Sequence, residues 1–145
     1  KHYGSILDFG CGAGRNIRYL KDHYAKVTGY DYPNMIKLAQ PHYIEDKNVF
    51  LSSDLDKILL ERYDEVLLSL VLQHIHPDEL RHILGELVHV SRRFIIHSRT
   101  WVDFTFEPIM YILAEFFDLK TINYLPDFNS ALDDHFIAVM TPKSQ

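Results

Sequence analysis

The sequence has 145 residues, of which 47% are hydrophobic and 24% are charged, and its formal net charge is −5. This length and composition are typical of one globular domain with a buried core, and they exclude extensive disorder. The acidic balance argues against a broad nucleic-acid-binding surface. The longest apolar stretch, residues 66–75, is shorter than the roughly 20 residues that span a bilayer, and a single cysteine excludes an internal disulfide.

Short apolar runs alternate with amphipathic helical segments along the chain. Such alternation predicts a mainly parallel α/β sheet. Only residues 125–134 separate the last two strands, which are therefore predicted to be antiparallel. In chain order, the pattern predicts strands over 5–9, 26–31, 48–52, 64–70, 93–97, 120–124 and 135–141, and helices over 15–25, 33–41, 55–61, 77–88 and 108–117.

The sequence begins with Lys1 and enters a strand almost at once. We therefore expect a single domain over residues 1–145 whose natural N-terminus lies further upstream. Pro33 is expected at the first position of the second helix, and Pro41 is expected to end that helix.

Three of the six glycines fall within residues 10–14, between the first predicted strand and the first predicted helix. Glycine permits a tight turn and lets a ligand approach the backbone closely. Asp31 and Asp54 end the second and third predicted strands. Because ligands of open α/β sheets bind outside the carboxyl ends of the strands, these residues predict a nucleoside site at that edge, with Asp31 accepting the ribose hydroxyls. A solvated turn acid is the alternative for Asp31.

The glycine loop does not match the common phosphate-binding patterns. The sixth position of a Gly-x-Gly-x-x-Gly fingerprint is Arg15 when counted from Gly10, and Ile17 when counted from Gly12. No Gly-Lys-Ser/Thr follows the loop, which excludes a P-loop. The loop is therefore predicted to approach a ligand closely without cradling a pyrophosphate.

The segment from Ile6 to Asn16, ILDFGCGAGRN, resembles the first motif of the class I, Rossmann-like S-adenosylmethionine-dependent methyltransferases. Within them it resembles the small-molecule group in which LDxGCGxG is typical. Residues 29–35, 53–55 and 63–75 resemble the later motifs in order. The resemblance covers roughly residues 5–142. It implies an α/β fold in a Rossmann-like three-layer sandwich, with a mainly parallel seven-stranded sheet, an antiparallel last strand, and S-adenosylmethionine as the cofactor.

The resemblance also implies roles at the cofactor. Asp8 and the glycine loop would hold the methionine end, partly through water, and Asp54 with the backbone of Leu55 would read the adenine edge. Met35 would pack on the adenine, or else serve as a core methionine, and Cys11 is expected to pack. The implied cofactor-binding residues are Asp8, Gly10, Cys11, Gly12, Gly14, Asp31, Tyr32, Met35, Asp54, Leu55 and Leu70.

Two features depart from the family pattern. Family members usually have a helix before the first strand that helps to close the cofactor site, and this sequence has none. The turn before the fifth strand usually carries Pro-Gly, and here it is residues 90–93, Val-Ser-Arg-Arg. We expect the second departure to be a turn variant.

Candidates for the acceptor side follow the fourth and fifth strands, because those strand ends would face the transferred methyl group. His74 is the first candidate for a catalytic acid–base or substrate-orienting residue, and a loop histidine that caps a backbone group is the alternative. His74 and His76 suggest a metal site, but no third ligand is in register, so no metal is predicted. Further candidates are Gln73, His97 and Arg99, whereas His82 and His89 are expected at the surface.

Aromatic residues cluster after the fifth strand, where family members often place a substrate lid. Such rings would shield a sulfonium by cation–π contact or stack on a flat acceptor, and core packing against the next helix is the alternative. The cluster comprises Trp101, Phe104, Phe106 and Tyr111, and residues 124–129 form a second possible rim.

The leading hypothesis is a cytoplasmic enzyme that transfers a methyl group from S-adenosylmethionine to a small molecule by in-line displacement. Neither a nucleic-acid partner nor a membrane is expected. The main alternative is a non-catalytic module, or partner subunit, that binds S-adenosylmethionine or S-adenosylhomocysteine. Nucleic-acid or protein methylation is disfavoured by the charge and by the lack of an Asn/Asp-Pro-Pro-Tyr run. Aminopropyl transfer would need further acids for a polyamine.

Overall fold

The computed structural model describes residues 3–103, 105, 107–125 and 135–144. The strands are Tyr3–Phe9 (β1), Tyr24–Tyr30 (β2), Val49–Ser52 (β3), Glu65–Ser69 (β4), Phe94–Arg99 (β5), Phe117–Leu125 (β6) and His135–Pro142 (β7). The helices are Ile17–Leu20 (α1), Pro33–Tyr43 (α2), Leu55–Leu59 (α3), Pro77–Leu87 (α4) and Ile109–Phe116 (α5), and Leu72–His74 form a 3-10 turn. No described helix is long and apolar enough to cross a membrane.

The strands form one seven-stranded sheet in the order β3-β2-β1-β4-β5-β7-β6. Strands β1 to β5 pair in parallel, and β7 pairs antiparallel with both β5 and β6. This confirms the predicted sheet and its antiparallel last strand. The strand order reverses between β1 and β4, so their carboxyl ends border the crevice in which open α/β sheets bind ligands.

Alternating residues of β1 feed two separate cores. Ile6 packs with Val27 of β2 and with residues of α1 and α2. Leu7 points the other way and packs in a larger cluster with residues of α3, α4 and α5. Because successive strand residues face opposite sides of a sheet, α1 and α2 cover one face and α3 to α5 cover the other. This confirms the predicted three-layer sandwich.

The first helix is much shorter than predicted. The expected helix over 15–25 is observed only over Ile17–Leu20, and Tyr24 and Ala25 belong to β2. The side-chain amide of Asn48 donates to the carbonyls of Lys21 (2.9 Å) and Tyr24 (3.2 Å). This contact satisfies carbonyls outside a helix. A long-range partner thus overrides the apolar periodicity that predicted three helical turns.

The prediction that Pro41 ends the second helix was wrong, because α2 continues to Tyr43. Proline removes one helical N–H, which normally destabilises a helix. Here the final turn is held by tertiary contact: the Tyr43 side chain is buried, and its hydroxyl donates to the carbonyl of Gly14. The strand predicted over 120–124 also begins earlier, at Phe117.

Candidate cofactor and acceptor site

The glycine loop after β1 adopts a conformation that side chains would disturb. Gly10, Gly12 and Gly14 have φ angles of 81°, 56° and 91°, in the left-handed region that favours glycine. A Cβ atom at Gly10 would lie 2.7 Å from Cγ2 of Val71, and one at Gly14 would lie 2.5 Å from Cε2 of Tyr43. The loop is therefore packed directly against the segment that follows β4 and against the end of α2.

The N–H groups of this loop are largely used within the protein. Those of Gly10 and Cys11 both donate to the carbonyl of Tyr30, at 2.8 and 2.9 Å. That of Gly12 donates to Oδ2 of Asp31 at 2.7 Å. Because these three N–H groups are hydrogen-bonded within the protein, they are not available to a phosphate. This agrees with the lack of a phosphate-binding fingerprint in the sequence. The glycines let a ligand approach the backbone of the loop closely, but the loop does not form an anion-binding nest of unpaired N–H groups.

The Asp31 carboxylate is fixed by two backbone donors. Its Oδ2 accepts from Gly12, and its Oδ1 accepts from the N–H of Tyr32 at 2.7 Å. Each carboxylate oxygen has two lone-pair sites, so each can accept one further hydrogen bond. The half-buried carboxylate thus keeps one acceptor site on each oxygen, which the predicted contact with two ribose hydroxyls requires.

Asp8 lies at the end of β1 with a relative exposure of 1%. Neither of its carboxylate oxygens has a hydrogen-bond partner within the described part of the chain. Burial, together with the nearby charge of Asp31, raises its pKa from 3.8 to about 7. A buried ionised carboxylate is costly without a partner of opposite charge. The ammonium of a bound methionine moiety has the charge and donors that this carboxylate lacks.

Cys11 has a packing role. Its thiol is buried and unpaired with any other cysteine, and a Cβ atom at Gly29 would lie 3.1 Å from its sulfur. Burial, together with the charges of Asp8 and Asp31, raises the pKa of the thiol to about 12. The thiol is therefore neutral at physiological pH, as expected for a packing residue. Its predicted contact with the cofactor remains a prediction.

The residues expected at the adenine line the neighbouring edge. The terminal methyl of Met35 lies 3.7 Å from the position that a Cβ atom at Gly12 would occupy, so the thioether reaches over the glycine loop. Oδ1 of Asp54 accepts the N–H of Lys57 at 3.2 Å and caps α3. Leu55 begins α3 and is half-buried, and Tyr32 is exposed. Asp54 therefore has a structural role that the sequence did not reveal.

Leu70 directly follows β4 and has a φ of 55°. Among the described residues it is the one non-glycine with a positive φ, a conformation that costs about 1–2 kcal/mol. Its N–H donates to the carbonyl of His97 at 2.7 Å. Strained residues of this kind cluster at functional sites, and this one turns the chain towards the 3-10 turn that carries His74.

On the acceptor side, the structure pairs His74 with Asp103. Nδ1 of His74 lies 2.7 Å from Oδ2 of Asp103, and both side chains are substantially exposed. The backbone-capping role considered for His74 belongs instead to His76, whose Nδ1 accepts the N–H of Asp78 at 3.3 Å. No local spacing marks Asp103, which lies 29 positions after His74, so sequence reasoning missed it.

The other polar candidates have separate environments. Gln73 is buried, and its Oε1 lies 3.2 Å from the hydroxyl of Ser98. The buried Gln73 side chain therefore connects the turn after β4 to β5. Nε2 of His97 lies 3.4 Å from Nδ1 of His135, and burial together with His135 lowers the pKa of His97. Arg99 is half-buried at the end of β5. His82 and His89 are exposed, as predicted.

The predicted aromatic lid is only partly described. Trp101 and Tyr111 are 46% and 70% exposed, so neither is a core residue. Phe104, Phe106 and residues 126–129 lie outside the described residues. Tyr124 is exposed on β6. Within the described ranges, no group of three or more His, Cys, Asp or Glu is arranged to hold a metal ion.

The model of a known family, described as a methyltransferase domain, matches residues 6–93. The chain belongs to the methyltransferase-domain family. This confirms the resemblance to class I methyltransferases, whose methyl donor is S-adenosylmethionine. The match includes the glycine loop, Asp31, Asp54 and His74, whereas Asp103 lies beyond its end. No curated protein gives a significant sequence match.

Solved structures of methyltransferases share the fold. The N-methyltransferase NodS from Bradyrhizobium japonicum WM9, in complex with S-adenosyl-L-homocysteine, has a TM-score of 0.81 and 17% identity over 99% of this chain and 80% of that chain. Magnesium protoporphyrin IX methyltransferase (ChlM) from Synechocystis PCC 6803, with bound S-adenosylmethionine, has a TM-score of 0.73 and 20% identity over 94% of this chain and 69% of that chain. At these identities the similarity establishes the fold alone.

Proposed function

We propose that this methyltransferase binds S-adenosylmethionine across the carboxyl ends of β1 to β3 and methylates a small-molecule acceptor beyond β4 and β5. The observation that carries the proposal is the buried Asp8 carboxylate, which has no partner among the described residues and lies beside the glycine loop. The ammonium at the methionine end of the cofactor would supply the positive charge that this carboxylate lacks.

The rest of the cofactor fits the residues that follow along the edge. The Asp31 carboxylate, held by the N–H groups of Gly12 and Tyr32, would accept the ribose hydroxyls. Met35 would pack its polarizable thioether on the adenine face. Asp54 and the backbone of Leu55 would contact the adenine edge. The glycine loop and Leu70 would contact the cofactor through their backbones, and Cys11 and Tyr32 complete the proposed set.

When bound, S-adenosylmethionine supplies a methyl group on a positively charged sulfur, which is itself a good leaving group. The chain then has to hold the acceptor in line with that methyl group and to exclude water. His74 would orient the acceptor and exchange a proton with it. The exposed ring of Trp101 would cover the acceptor from the loop after β5.

A small acceptor is supported by the acidic charge of −5, which disfavours a nucleic-acid backbone. One structure of similar fold is named for magnesium protoporphyrin IX, a small molecule. A cytoplasmic location remains a prediction.

Calorimetric titration with S-adenosylmethionine and S-adenosylhomocysteine tests the cofactor site. The protein should bind both ligands with micromolar affinity, and Asp31→Ala should weaken each by at least about tenfold, because two oriented acceptors are lost. Asp118→Asn, an exposed acid on the distant strand β6, is the matched control and should bind normally. Equal affinities of wild type and Asp31→Ala would refute the site, and tight binding without transfer would indicate a non-catalytic module.

A further inference from the structure

We propose that the acceptor group is a hydroxyl, and that Asp103 is the positioning residue that holds His74 so that its Nε2 can take the hydroxyl proton. The inference rests on the proposed function, because it concerns the acceptor side of the same edge. Neither Asp103 nor the nature of the attacked atom follows from the family match, which ends before Asp103.

The contact between the two side chains defines the histidine tautomer. Nδ1 of His74 lies 2.7 Å from Oδ2 of Asp103, within the range of charge-assisted hydrogen bonds. An ionised carboxylate only accepts hydrogen bonds, so Nδ1 must carry the proton. In the neutral ring the lone pair then resides on Nε2. The His74 side chain is 62% exposed, so an acceptor can approach the ring.

The backbone also holds the pair together. The N–H of Asp103 donates to the carbonyl of Gln73 at 2.9 Å. His74 lies in the 3-10 turn after β4, and this bond attaches the backbone of Asp103 to the same turn. Gln73 is itself buried and lies within hydrogen-bond distance of Ser98 on β5. An exposed pair of side chains alone contributes little to stability. Here the bond from Asp103 to the Gln73 carbonyl, and the contact of the buried Gln73 side chain with Ser98 of β5, fix the geometry of the pair.

The base of the loop that carries Asp103 is closed as well. The N–H of Ile109 donates to the carbonyl of Thr100 at 3.0 Å, and the N–H of Val102 donates to the carbonyl of Glu107 at 3.3 Å. The side chain of Val102 is buried. These two backbone hydrogen bonds therefore restrain the residues on both sides of Asp103.

The position of the pair places it beside the proposed cofactor edge. Val71, three residues before His74, fills the space beside Gly10 of the glycine loop. The strained Leu70 precedes it. The 3-10 turn with His74 thus follows directly from the segment that packs on the glycine loop, where the methyl group would be presented.

The chemistry of the pair suits a hydroxyl better than an amine. A neutral amine attacks with its lone pair and needs no base, whereas an alcohol or phenol needs its proton removed as it attacks. The hydroxyl proton would pass to Nε2, the oxygen lone pair would form the new C–O bond, and the electron pair of the broken S–C bond would remain on sulfur as S-adenosylhomocysteine. Asp103 would stabilise the imidazolium without taking its proton.

The first test is the tautomer of His74, measured by nitrogen NMR on protein labelled at its nine histidines, with His74→Gln used to assign the signal. The signal should show a proton on Nδ1 in the wild type and should change in Asp103→Ala, with Asp103→Glu restoring it in part. A wild-type His74 protonated mainly on Nε2, or a tautomer unaffected by Asp103→Ala, would overturn the proposal. This readout requires neither cofactor nor acceptor.

The second test measures label transfer from S-adenosylmethionine to catechols, phenols and aliphatic alcohols beside matched amines. Only hydroxyl acceptors should be methylated. His74→Gln should lower kcat about 10²- to 10⁴-fold, and Asp103→Ala on the order of tenfold or more, both with little change in KM. His82→Gln, an exposed residue of α4, is the matched control and should retain full activity.

The outcomes separate the inference from the function on which it rests. Label on amines alone, or no labelled hydroxyl compound although the cofactor binds, would overturn the hydroxyl assignment. A fall in kcat for His74→Gln without any fall for Asp103→Ala would overturn the positioning role. Absence of cofactor binding would instead refute the proposed function.

Discussion

The two halves of the sheet edge are built differently. In the cofactor half, after β1 and β2, the glycine loop has three positive φ angles and leaves too little room for a Cβ atom at Gly10 or Gly14. The N–H of Gly12 also donates to Asp31. In the acceptor half, after β4 and β5, the polar side chains of His74 and Asp103 are open to solvent and are joined across two loops. In the proposed function, the first half would bind a ligand of fixed shape, whereas the second would present reactive groups to an acceptor that differs among enzymes of one fold.

The largest expected effect concerns the electrostatic cost of Asp8 in the cofactor half. Because the pKa of Asp8 rises from 3.8 unfolded to about 7 folded, the folded state binds the proton more tightly between these values. The contribution of Asp8 to stability is therefore lost as pH rises from about 4 to 7, by about 4 kcal/mol at most. Urea unfolding of wild type and Asp8→Asn between pH 4 and 8 measures this directly.

The difference between the two proteins isolates Asp8 from the other acids. The free energy of unfolding of Asp8→Asn should increase relative to wild type as pH rises. The buried amide of the variant has its own cost, but that cost does not depend on pH, so only the slope is diagnostic. A difference that stays flat across the range would show that the carboxylate is hydrated in the folded protein.

The next effect is the steric lock at Gly10. Gly10→Ala would place a methyl group 2.7 Å from Val71 at a φ of 81°, which combines left-handed strain with overpacking, at a cost of about 3 kcal/mol. Gly85→Ala in α4 is the matched control, since its new Cβ atom would meet only Phe116, at 3.8 Å. That change should stabilise the protein by roughly 0.5–1 kcal/mol, as helix propensity predicts. Equal free energies of unfolding for the two variants in urea would contradict the steric restriction at Gly10.

A smaller effect is expected beneath the acceptor half. Ser98→Ala removes the hydroxyl that lies 3.2 Å from Oε1 of the buried Gln73, which should lower the free energy of unfolding by about 1–2 kcal/mol. Ser53→Ala, at an exposed position, should change it by less than about 0.5 kcal/mol. If Ser98→Ala lowered the free energy of unfolding as much as Gly10→Ala, the two halves of the sheet edge would be equally rigid.

The sequence predicted the glycine turn and the strands of the cofactor half well because the determinants of these elements are local. The glycines at 10, 12 and 14 are needed where the backbone turns, and Asp31 follows at the end of the adjacent strand. The alternation of apolar residues predicted the seven strands, all of which are observed. The burial of Asp8 follows from its place within a central strand between Leu7 and Phe9.

What the sequence could not predict depends on distant contacts. The early end of α1 depends on the amide of Asn48, and the continuation of α2 past Pro41 depends on Tyr43 reaching the glycine loop. Likewise, the partner of His74 lies in another loop. Local periodicity carries no information about such pairs, which are set by how the strands bring their loops together.

The most direct test of the account is the proton balance of S-adenosylmethionine binding at pH 6, measured calorimetrically in two buffers with different ionisation enthalpies. At this pH most Asp8 is protonated, since its pKa is about 7, and an incoming ammonium favours the ionised form. The account predicts release of up to about one proton on binding, and none in Asp8→Asn. Binding without proton release in the wild type, or with release unchanged in Asp8→Asn, would contradict the placement of the cofactor's cationic end at Asp8.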